Sequence, residues 1–225
     1  MPSIFQRALG SDFQRLHPQL QRLFGFSSAD MLACVGQGVM DVVEPGPLHV
    51  RPFLWLGSVR RIMFPQRGEN VPFTVHNYAY RDSFGRETLT WLRTFHMPGP
   101  RRFDEAMIFS EKRGRIVVYA GSHQHLAVEL HPSVEGDGSI RMRTGTQRLY
   151  EWPIGIRFPR FLSADGDIRV WYDDVRNDFG INVDVGNRLW GRAFHYRGRF
   201  TTEWKTCAAE DVPREARPLR EERRE

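Results

Sequence analysis

Two histidines and a glutamate lie close together near the middle of the chain, and their side chains are of the kinds that bind transition metals. His123, His125 and Glu129 follow the pattern His-x-His-x3-Glu. On a β-strand, alternate side chains share one face, so these three would point the same way. Two imidazoles and a carboxylate suit iron, manganese or nickel. The spacing alone therefore permits a metal site.

This arrangement is similar to the first metal-binding motif of cupins, but the remainder of a cupin site is incomplete. The glycine of that motif, six positions before its first histidine, is Val117 here. The second motif should supply another histidine after Pro-x-Gly, but apolar residues and an arginine follow Pro153-Ile154-Gly155. A metal-dependent, cupin-like enzyme is therefore an alternative only. Ordinary polar residues on a strand face are the favoured interpretation, and no cofactor is expected.

A second group of chemically useful side chains is spread over several predicted strands, where amphipathic residues alternate with apolar ones. A small barrel lined by aromatic rings and an arginine can hold one organic ligand, because the rings give affinity and the guanidinium orients an acid group. The candidate ligand-binding residues are His76, Tyr80, Trp91, Arg93, Tyr119, Trp171 and Tyr196. The competing interpretation is that the rings only fill the interior.

The strands that must position these residues form a long antiparallel meander. Turn residues, including Pro98–Pro100 and Glu135–Gly138, separate alternating segments from Val71 onwards. A twisted meander of this length protects its edges by closing on itself. We therefore predict one α+β, mainly β, domain with about nine or ten strands in a barrel-like sheet. Gly36 and Gly38 predict a bulge or a close backbone approach in the first strand.

Helical spacing predicts two short helices in residues 3–24, which would close one end of the sheet. A further helix is predicted near residues 52–64, because Pro52 suits a first turn and apolar residues recur along one side. The predicted buried stripe consists of Trp55, Leu56, Val59, Ile62 and Met63. The domain is expected to span residues 1–207, and the tail, residues 208–225, is expected to be disordered because it is rich in both charge signs.

Composition argues against several classes of protein. The chain has 225 residues, 40% hydrophobic and 26% charged, with a net charge of +5. Its apolar runs are far shorter than the ~20 residues that span a bilayer, so no membrane partner is expected. Two cysteines and the lack of a signal-peptide pattern favour a cytoplasmic location. Nucleic acid is an unlikely partner, because the arginines are scattered and no nucleic-acid-binding motif accompanies them.

Three stretches together resemble a bacterial family, domain of unknown function 4166. They are FQRALGSDFQRLHPQLQRLFG at 5–25, LYEWPIGIRFPRFL at 149–162 and NRLWGRAFHYRGRF at 187–200. The resemblance implies no catalytic residues, because the family has no assigned activity. Some members are attached to dehydrogenase-like proteins of the saccharopine reductase type, which implies a dehydrogenase-type protein as a partner.

The leading hypothesis is a binding domain for a small, partly apolar and anionic ligand inside a barrel-like sheet, with enzymatic activity left open. A metal-dependent enzyme using His123, His125 and Glu129 is one alternative. An accessory module for a dehydrogenase-type partner is another, and it predicts a contiguous apolar surface patch. Strand alternation alone leaves open which face of the sheet is inside, because a shift of one residue exchanges the two faces.

Overall fold

Antiparallel strands dominate the chain in the computed structural model, which describes residues 1–151, 153–159, 161 and 163–225. The prediction of a mainly β fold with a few short helices is confirmed. The α-helices within these residues are α1 (Ile4–Leu9), α2 (Pro18–Gly25) and α3 (Arg51–Val59). The strands are β1 (Leu32–Pro45), β2 (Gly68–Arg81), β3 (Glu87–Phe95), β4 (Arg101–Ser110), β5 (Arg115–Ala120), β6 (Leu126–Val134), β7 (Ile140–Glu151), β8 (Ile154–Arg157), β9 (Asp165–Asp173), β10 (Asp178–Asn187) and β11 (Gly191–Thr206). Trp152, Arg160 and Leu162, which belong to the predicted crossing segment, lie outside the described residues.

Ten of these strands close into a barrel. Strands β1 to β7 pair in sequence order, β7 then pairs with β9, and β11 returns to pair with β1. Strand β8 is an additional strand, and it pairs with the last residues of β7. A closed meander leaves few unpaired strand edges, which is why so long an antiparallel sheet is stable as a single layer.

Alternation along each strand decides which side chains are inside. In β2, Val71, Phe73 and Val75 point into the barrel and join the main cluster of buried apolar residues. Trp91 and Phe95 on β3 do the same. The residues that alternate with them along each strand point outwards, as the period of two requires.

The N-terminal helices close one end of the barrel, which we call the plugged end. Ser3 begins α1 with a capping box to Gln6, and Pro18 lies in the first turn of α2. The rings of Phe5 and Phe24 are 4.7 Å apart between centroids, and both face Trp91 inside the barrel. The prediction of two short helices that close an end of the sheet is confirmed.

Helix α3 lies at the opposite end, which we call the mouth, and it differs from the prediction. It ends at Val59 rather than near residue 64, because Arg61 adopts a positive φ of 58°. The predicted buried stripe is wrong for Trp55, Leu56 and Val59, which are exposed; Leu54 is the buried residue of the helix. No helix within the described residues is long and apolar enough to cross a membrane.

The C-terminal segment, for which the charge pattern predicts disorder, lies against the outer face of the barrel. Tyr119 donates a hydrogen bond of 2.7 Å to the carbonyl oxygen of Arg224, and Arg86 donates one of 2.9 Å to that of Glu222. Hydrogen bonds from Arg224 lower the pKa of the Glu222 carboxyl to about 2, against the opposing effect of burial. Charged side chains of both signs therefore pair with one another and with the barrel here.

A close backbone approach joins β1 to β11, as the two glycines of β1 predict. Gly38 pairs with Phe200, and a bulge follows between Met40 and Val42. A methyl group on Gly38 would overlap the carbonyl oxygen of Arg199. Backbone atoms cannot move aside as a flexible side chain can, so only glycine fits this position.

We expect Gly38→Ala to lower the free energy of unfolding by about 2 kcal/mol or more, because the overlap forces the two strands apart. Urea denaturation measures this value. Gly136→Ala is the matched control, because Gly136 has open space around its Cα, and it should change the unfolding free energy by less than about 0.5 kcal/mol. Equal effects of the two substitutions would contradict the close approach.

Candidate functional site: a polar cluster inside an apolar barrel

A cavity of about 100 Å³ lies inside the barrel, between the N-terminal helices and the mouth. Most of its wall is hydrocarbon from strand residues such as Val118, Leu130, Met142, Ile181 and Val183. Six polar or amphipathic side chains also line it: Trp91, Arg93, Glu105, Thr144, Gln147 and Tyr196. An apolar cavity with a few convergent polar groups is the usual form of a small-molecule site.

Arg93 and Glu105 form an ion pair within this apolar wall. Arg93 is 4% exposed, and its Nη2 donates to Oε2 of Glu105. The two residues lie on the adjacent strands β3 and β4 and point to the same side. The guanidinium carbon also lies 4.4 Å from the centroid of the Phe103 ring, a cation–π contact. One positive and one negative charge are therefore held inside the barrel.

Three N–H or O–H groups beside this pair have no hydrogen-bond acceptor among the described residues. They are Nε1 of Trp91, Nε of Arg93 and the hydroxyl group of Tyr196, and all three are buried. A buried donor without a partner costs about 1–3 kcal/mol. Because all three belong to residues that line the same cavity, a molecule inside it could satisfy them together.

The protonation states of the two titratable donors suit this arrangement. Burial raises the pKa of Tyr196 to about 12, while the Arg93 guanidinium opposes that rise. Burial alone would lower the pKa of Arg93, but the Glu105 carboxylate, together with Tyr196 and Asp104, outweighs it and the pKa is raised. At neutral pH the phenol therefore keeps its proton and the guanidinium keeps its charge, so both offer donors.

Other polar side chains of the wall are used to fix the chain at the mouth. The Gln147 amide bonds both backbone groups of Ala164, accepting from its N–H at 3.2 Å. The Thr144 hydroxyl accepts a hydrogen bond of 2.6 Å from the N–H of Gly166. These contacts hold the segment before β9 across the mouth, where Ile62 and Met63 complete the wall.

The structure brings together three of the seven predicted ligand-binding residues. Trp91, Arg93 and Tyr196 line the cavity. The other four, His76, Tyr80, Tyr119 and Trp171, point to the outside of the barrel, because each alternates with an interior residue of its own strand.

The four outward residues have partners of their own. Tyr80 accepts a hydrogen bond of 3.2 Å from Thr90 and Tyr119 donates to the C-terminal segment. His76 and the phenol of Tyr78 are 3.4 Å apart, and burial lowers the pKa of His76. Trp171 packs under the guanidinium of Arg169, at 5.7 Å from the ring centroid. They belong to the outer face rather than to the cavity.

The residues of the predicted metal motif are arranged differently from the expected strand face. His123 and His125 precede β6 in a loop in which Gln124 has a positive φ of 53°, so strand alternation does not apply to them. The His125 Nδ1 lies 2.5 Å from Oε2 of Glu151, and the His123 Nδ1 lies 2.9 Å from the Ser122 hydroxyl.

Glu129 is the remaining residue of that motif, and it faces arginines. Its carboxylate lies 3.0 Å from Arg113, 3.3 Å from Arg148 and 3.5 Å from Arg115. Burial opposes ionisation, but these arginines outweigh it and lower the pKa of Glu129. Within the part of the chain that is described, no three His, Cys, Asp or Glu side chains are placed to hold a metal ion.

Glu105 is one of three polar residues of the cavity wall that the sequence prediction missed, with Thr144 and Gln147. It lies between Phe103 and Met107, and all three point into the barrel. Those two apolar residues already predict one face of β4, so the period of two assigns Glu105 to the same face. A glutamate on a core face needs a buried cation, and Arg93 is the cation that the neighbouring strand supplies.

Fold and site together define a closed up-and-down β-barrel with a small, polar-centred internal cavity. The chain belongs to the family described as Domain of unknown function (DUF4166), whose model matches residues 16–200. It is also similar to the uncharacterized protein YndH of Bacillus subtilis (strain 168), with 31% identity over 204 residues, which cover 90% of this chain and 98% of that protein. No solved structure matches the chain.

We expect Glu105→Gln to lower the free energy of unfolding by about 3 kcal/mol, because it leaves the buried Arg93 charge without a counter-charge. The double variant Arg93→Met/Glu105→Gln removes both charges and should cost less than the sum of the two single substitutions, Glu105→Gln and Arg93→Met. Urea denaturation of the three variants measures the coupling. Strictly additive losses would show that the two groups do not interact.

Proposed function

We propose that the barrel binds a small, partly apolar organic molecule in its internal cavity, with an acid group of that molecule facing Trp91, Arg93 and Tyr196. The observation that supports this proposal is that three buried donors without partners belong to residues that line one apolar cavity. Packing alone would be served better by apolar side chains, which carry no cost for unmade hydrogen bonds.

The chemistry of the free groups favours an acceptor-rich ligand. An indole N–H and a guanidinium Nε are donors only, and a buried phenol donates readily. Glu105 uses the Nη2 side of Arg93 and leaves Nε free, so a carboxylate can share the guanidinium without displacing Glu105. A carboxylate offers two oxygens and about four lone-pair sites, enough for all three donors.

The size of the cavity limits the part of the ligand that is enclosed. An apolar cavity of about 150 Å³ can hold benzene, and this one measures about 100 Å³. The enclosed part therefore has few non-hydrogen atoms, such as an acid group with a short alkyl chain. Any longer apolar part has to extend towards the mouth, where Met63 and Leu126 continue the apolar wall.

The two alternative functions, a metal-dependent enzyme and an accessory module for a dehydrogenase-type partner, remain predictions. The metal-dependent enzyme would need His123 and His125 to turn towards Glu129, whose carboxylate is already paired with arginines. The accessory module for a dehydrogenase-type partner needs an apolar outer surface, and exposed apolar side chains do lie on α3. Neither alternative uses the unpartnered donors of the cavity.

Hexanoate is a suitable probe for the proposal. Hexan-1-ol and hexylamine, which have the same chain length but no carboxylate, are the control compounds. We expect hexanoate to bind more tightly than hexylamine, because the unpartnered groups are donors and the Glu105 carboxylate, which could attract a cation, is already paired with Arg93. Tyr196→Phe and Trp91→Phe should each weaken hexanoate binding about tenfold, the cost of one lost hydrogen bond to a charged group. Isothermal titration calorimetry or ligand-observed NMR measures these affinities.

Two further variants separate the cavity from the rest of the barrel. Val183→Phe places a ring in the cavity and should abolish binding. Tyr78→Phe removes a phenol from the outer face of β2 and should leave binding unchanged. Hexanoate affinity that is insensitive to Val183→Phe, or equal affinity for hexanoate and hexylamine, would overturn the proposal.

A further inference from the structure

Helix α3 carries an apolar surface that the fold does not cover. Phe53, Trp55, Leu56 and Val59 are between 62% and 68% exposed and lie on the outward side of the helix. Leu54, on the opposite side, is the residue that anchors α3 to the barrel. With Leu189 of the β10–β11 turn, which is also exposed, these residues form what we call the mouth patch.

The mouth patch is one surface rather than a scatter of apolar residues. The ring of Phe53 lies 5.8 Å from that of Trp190, the residue next to Leu189. Trp190 in turn donates a hydrogen bond of 2.7 Å to the carbonyl oxygen of Phe161, another exposed apolar residue. Contiguous apolar patches of this kind mark sites of interaction.

Arginines surround this patch, and the segments that build it contain no acidic residue. Residues 48–63 include Arg51, Arg60 and Arg61, and residues 187–192 include Arg188 and Arg192, with neither Asp nor Glu in either segment. Most of these arginines are therefore available to an anionic partner.

Only some of these positive charges are neutralised within the fold. Arg192 pairs with Glu44 and Asp184, and Arg61 pairs with Asp104. Arg51, Arg60 and Arg188 are exposed and pair with no carboxylate of the described residues. A groove beside the mouth patch is lined by Phe161, Arg188 and Leu189 among others. Among its described lining residues, the acidic one is Asp165.

This distribution of charge argues against a second copy of the chain as the partner. A two-fold contact brings the same surface of both copies together, so the unpaired arginines of one copy would face the arginine-bearing surface of the other. Like charges at a desolvated contact are unfavourable. An anionic surface, in contrast, is attracted by the arginines while the apolar side chains leave water.

We propose that the mouth patch docks on the surface of an anionic lipid bilayer, with α3 lying in the interface. A helix with Trp, Phe and Leu on one face and arginines at its ends has the composition of an interfacial helix, which inserts its apolar side chains by about 5–10 Å. Arginines beside it gain about 1 kcal/mol each from an anionic surface, or about fivefold in affinity. Docking of this kind needs no membrane-spanning segment.

The position of the patch links docking to the cavity, and this step rests on the proposed function. Ile62 and Met63, which follow α3 directly, line the mouth of the cavity. A bilayer that contacts α3 would therefore lie beside the entrance. A partly apolar acid dissolves in bilayers, so the ligand can pass between membrane and barrel without crossing water.

Sedimentation with vesicles tests docking in the absence of any cavity ligand. We expect the protein to bind vesicles of phosphatidylcholine with phosphatidylglycerol much more tightly than vesicles of phosphatidylcholine alone, and to be released by salt. Trp55→Glu/Leu56→Glu should lower the partition coefficient about tenfold or more. Arg60→Gln and Arg188→Gln should each lower it about fivefold, and only for the anionic vesicles.

Matched controls come from the plugged end. Val175 is 93% exposed in the β9–β10 turn, and Arg176 follows it, so Val175→Glu replaces an exposed apolar residue with glutamate, and Arg176→Gln removes an arginine, both away from the patch. They should leave binding to anionic vesicles within about twofold, because their side chains cannot reach the same bilayer surface. Circular dichroism confirms that all variants remain folded.

Several results would overturn the docking proposal without touching the cavity proposal. One is no binding to anionic vesicles, and another is binding that Trp55→Glu/Leu56→Glu reduces no more than Val175→Glu does. A dimer that Trp55→Glu/Leu56→Glu dissociates in size-exclusion chromatography with light scattering would assign the patch to a second copy. Hexanoate binding by the same variants reports on the cavity separately.

Discussion

The ion pair between Arg93 and Glu105 gives the barrel interior its chemical character. Two charges on adjacent strands are held among apolar residues, and each is tolerable only because the other is present. Replacing such a pair with apolar side chains is often neutral or stabilising, so the pair adds little to stability by itself. What it provides is a fixed guanidinium, with one nitrogen free, in the middle of a hydrocarbon wall. Trp91 and Tyr196 add their donors around that nitrogen, and the unpartnered groups follow from this arrangement.

The fold was largely predictable because its contacts are between neighbours in sequence. Strands β1 to β7 pair consecutively through short turns, so local alternation and turn residues such as Glu135–Gly138 suffice to predict the meander. Closure of the barrel depends on the β7–β9 and β1–β11 pairings, which twist and edge protection predict only in outline. Helix α3 was less predictable. Its apolar residues have the composition of a buried stripe, yet most face outwards, since composition does not say which side of a helix meets the barrel.

The positions of the candidate site residues were predictable in part, since three of the seven line the cavity. Trp91 and Arg93 alternate in phase with Phe95, a core residue, so their interior position follows from the sequence. His76 and Tyr80 are out of phase with Phe73 on β2, and the same rule excludes them from the interior. Residue type alone groups the interior residues Trp91 and Arg93 with the outward residues His76 and Tyr80. The phase of each strand separates the two groups. The positions of His123 and His125 were not predictable for a different reason. No pattern in the sequence indicates that β6 begins after them, at Leu126.

The two ends of the barrel are closed by different interactions. This difference relates the cavity to the outer surface at the mouth. At the plugged end, the rings of Phe5 and Phe24 pack on Trp91 and seal the interior with apolar contacts. At the mouth, Gln147 and its hydrogen bonds to Ala164 hold only a short segment in place, and α3 is anchored through Leu54. Because a few hydrogen bonds and Leu54, rather than packed rings, close the mouth, we expect it to open at lower free energy than the plugged end. The ligand that we propose would then enter beside α3, where the apolar and positively charged outer surface lies.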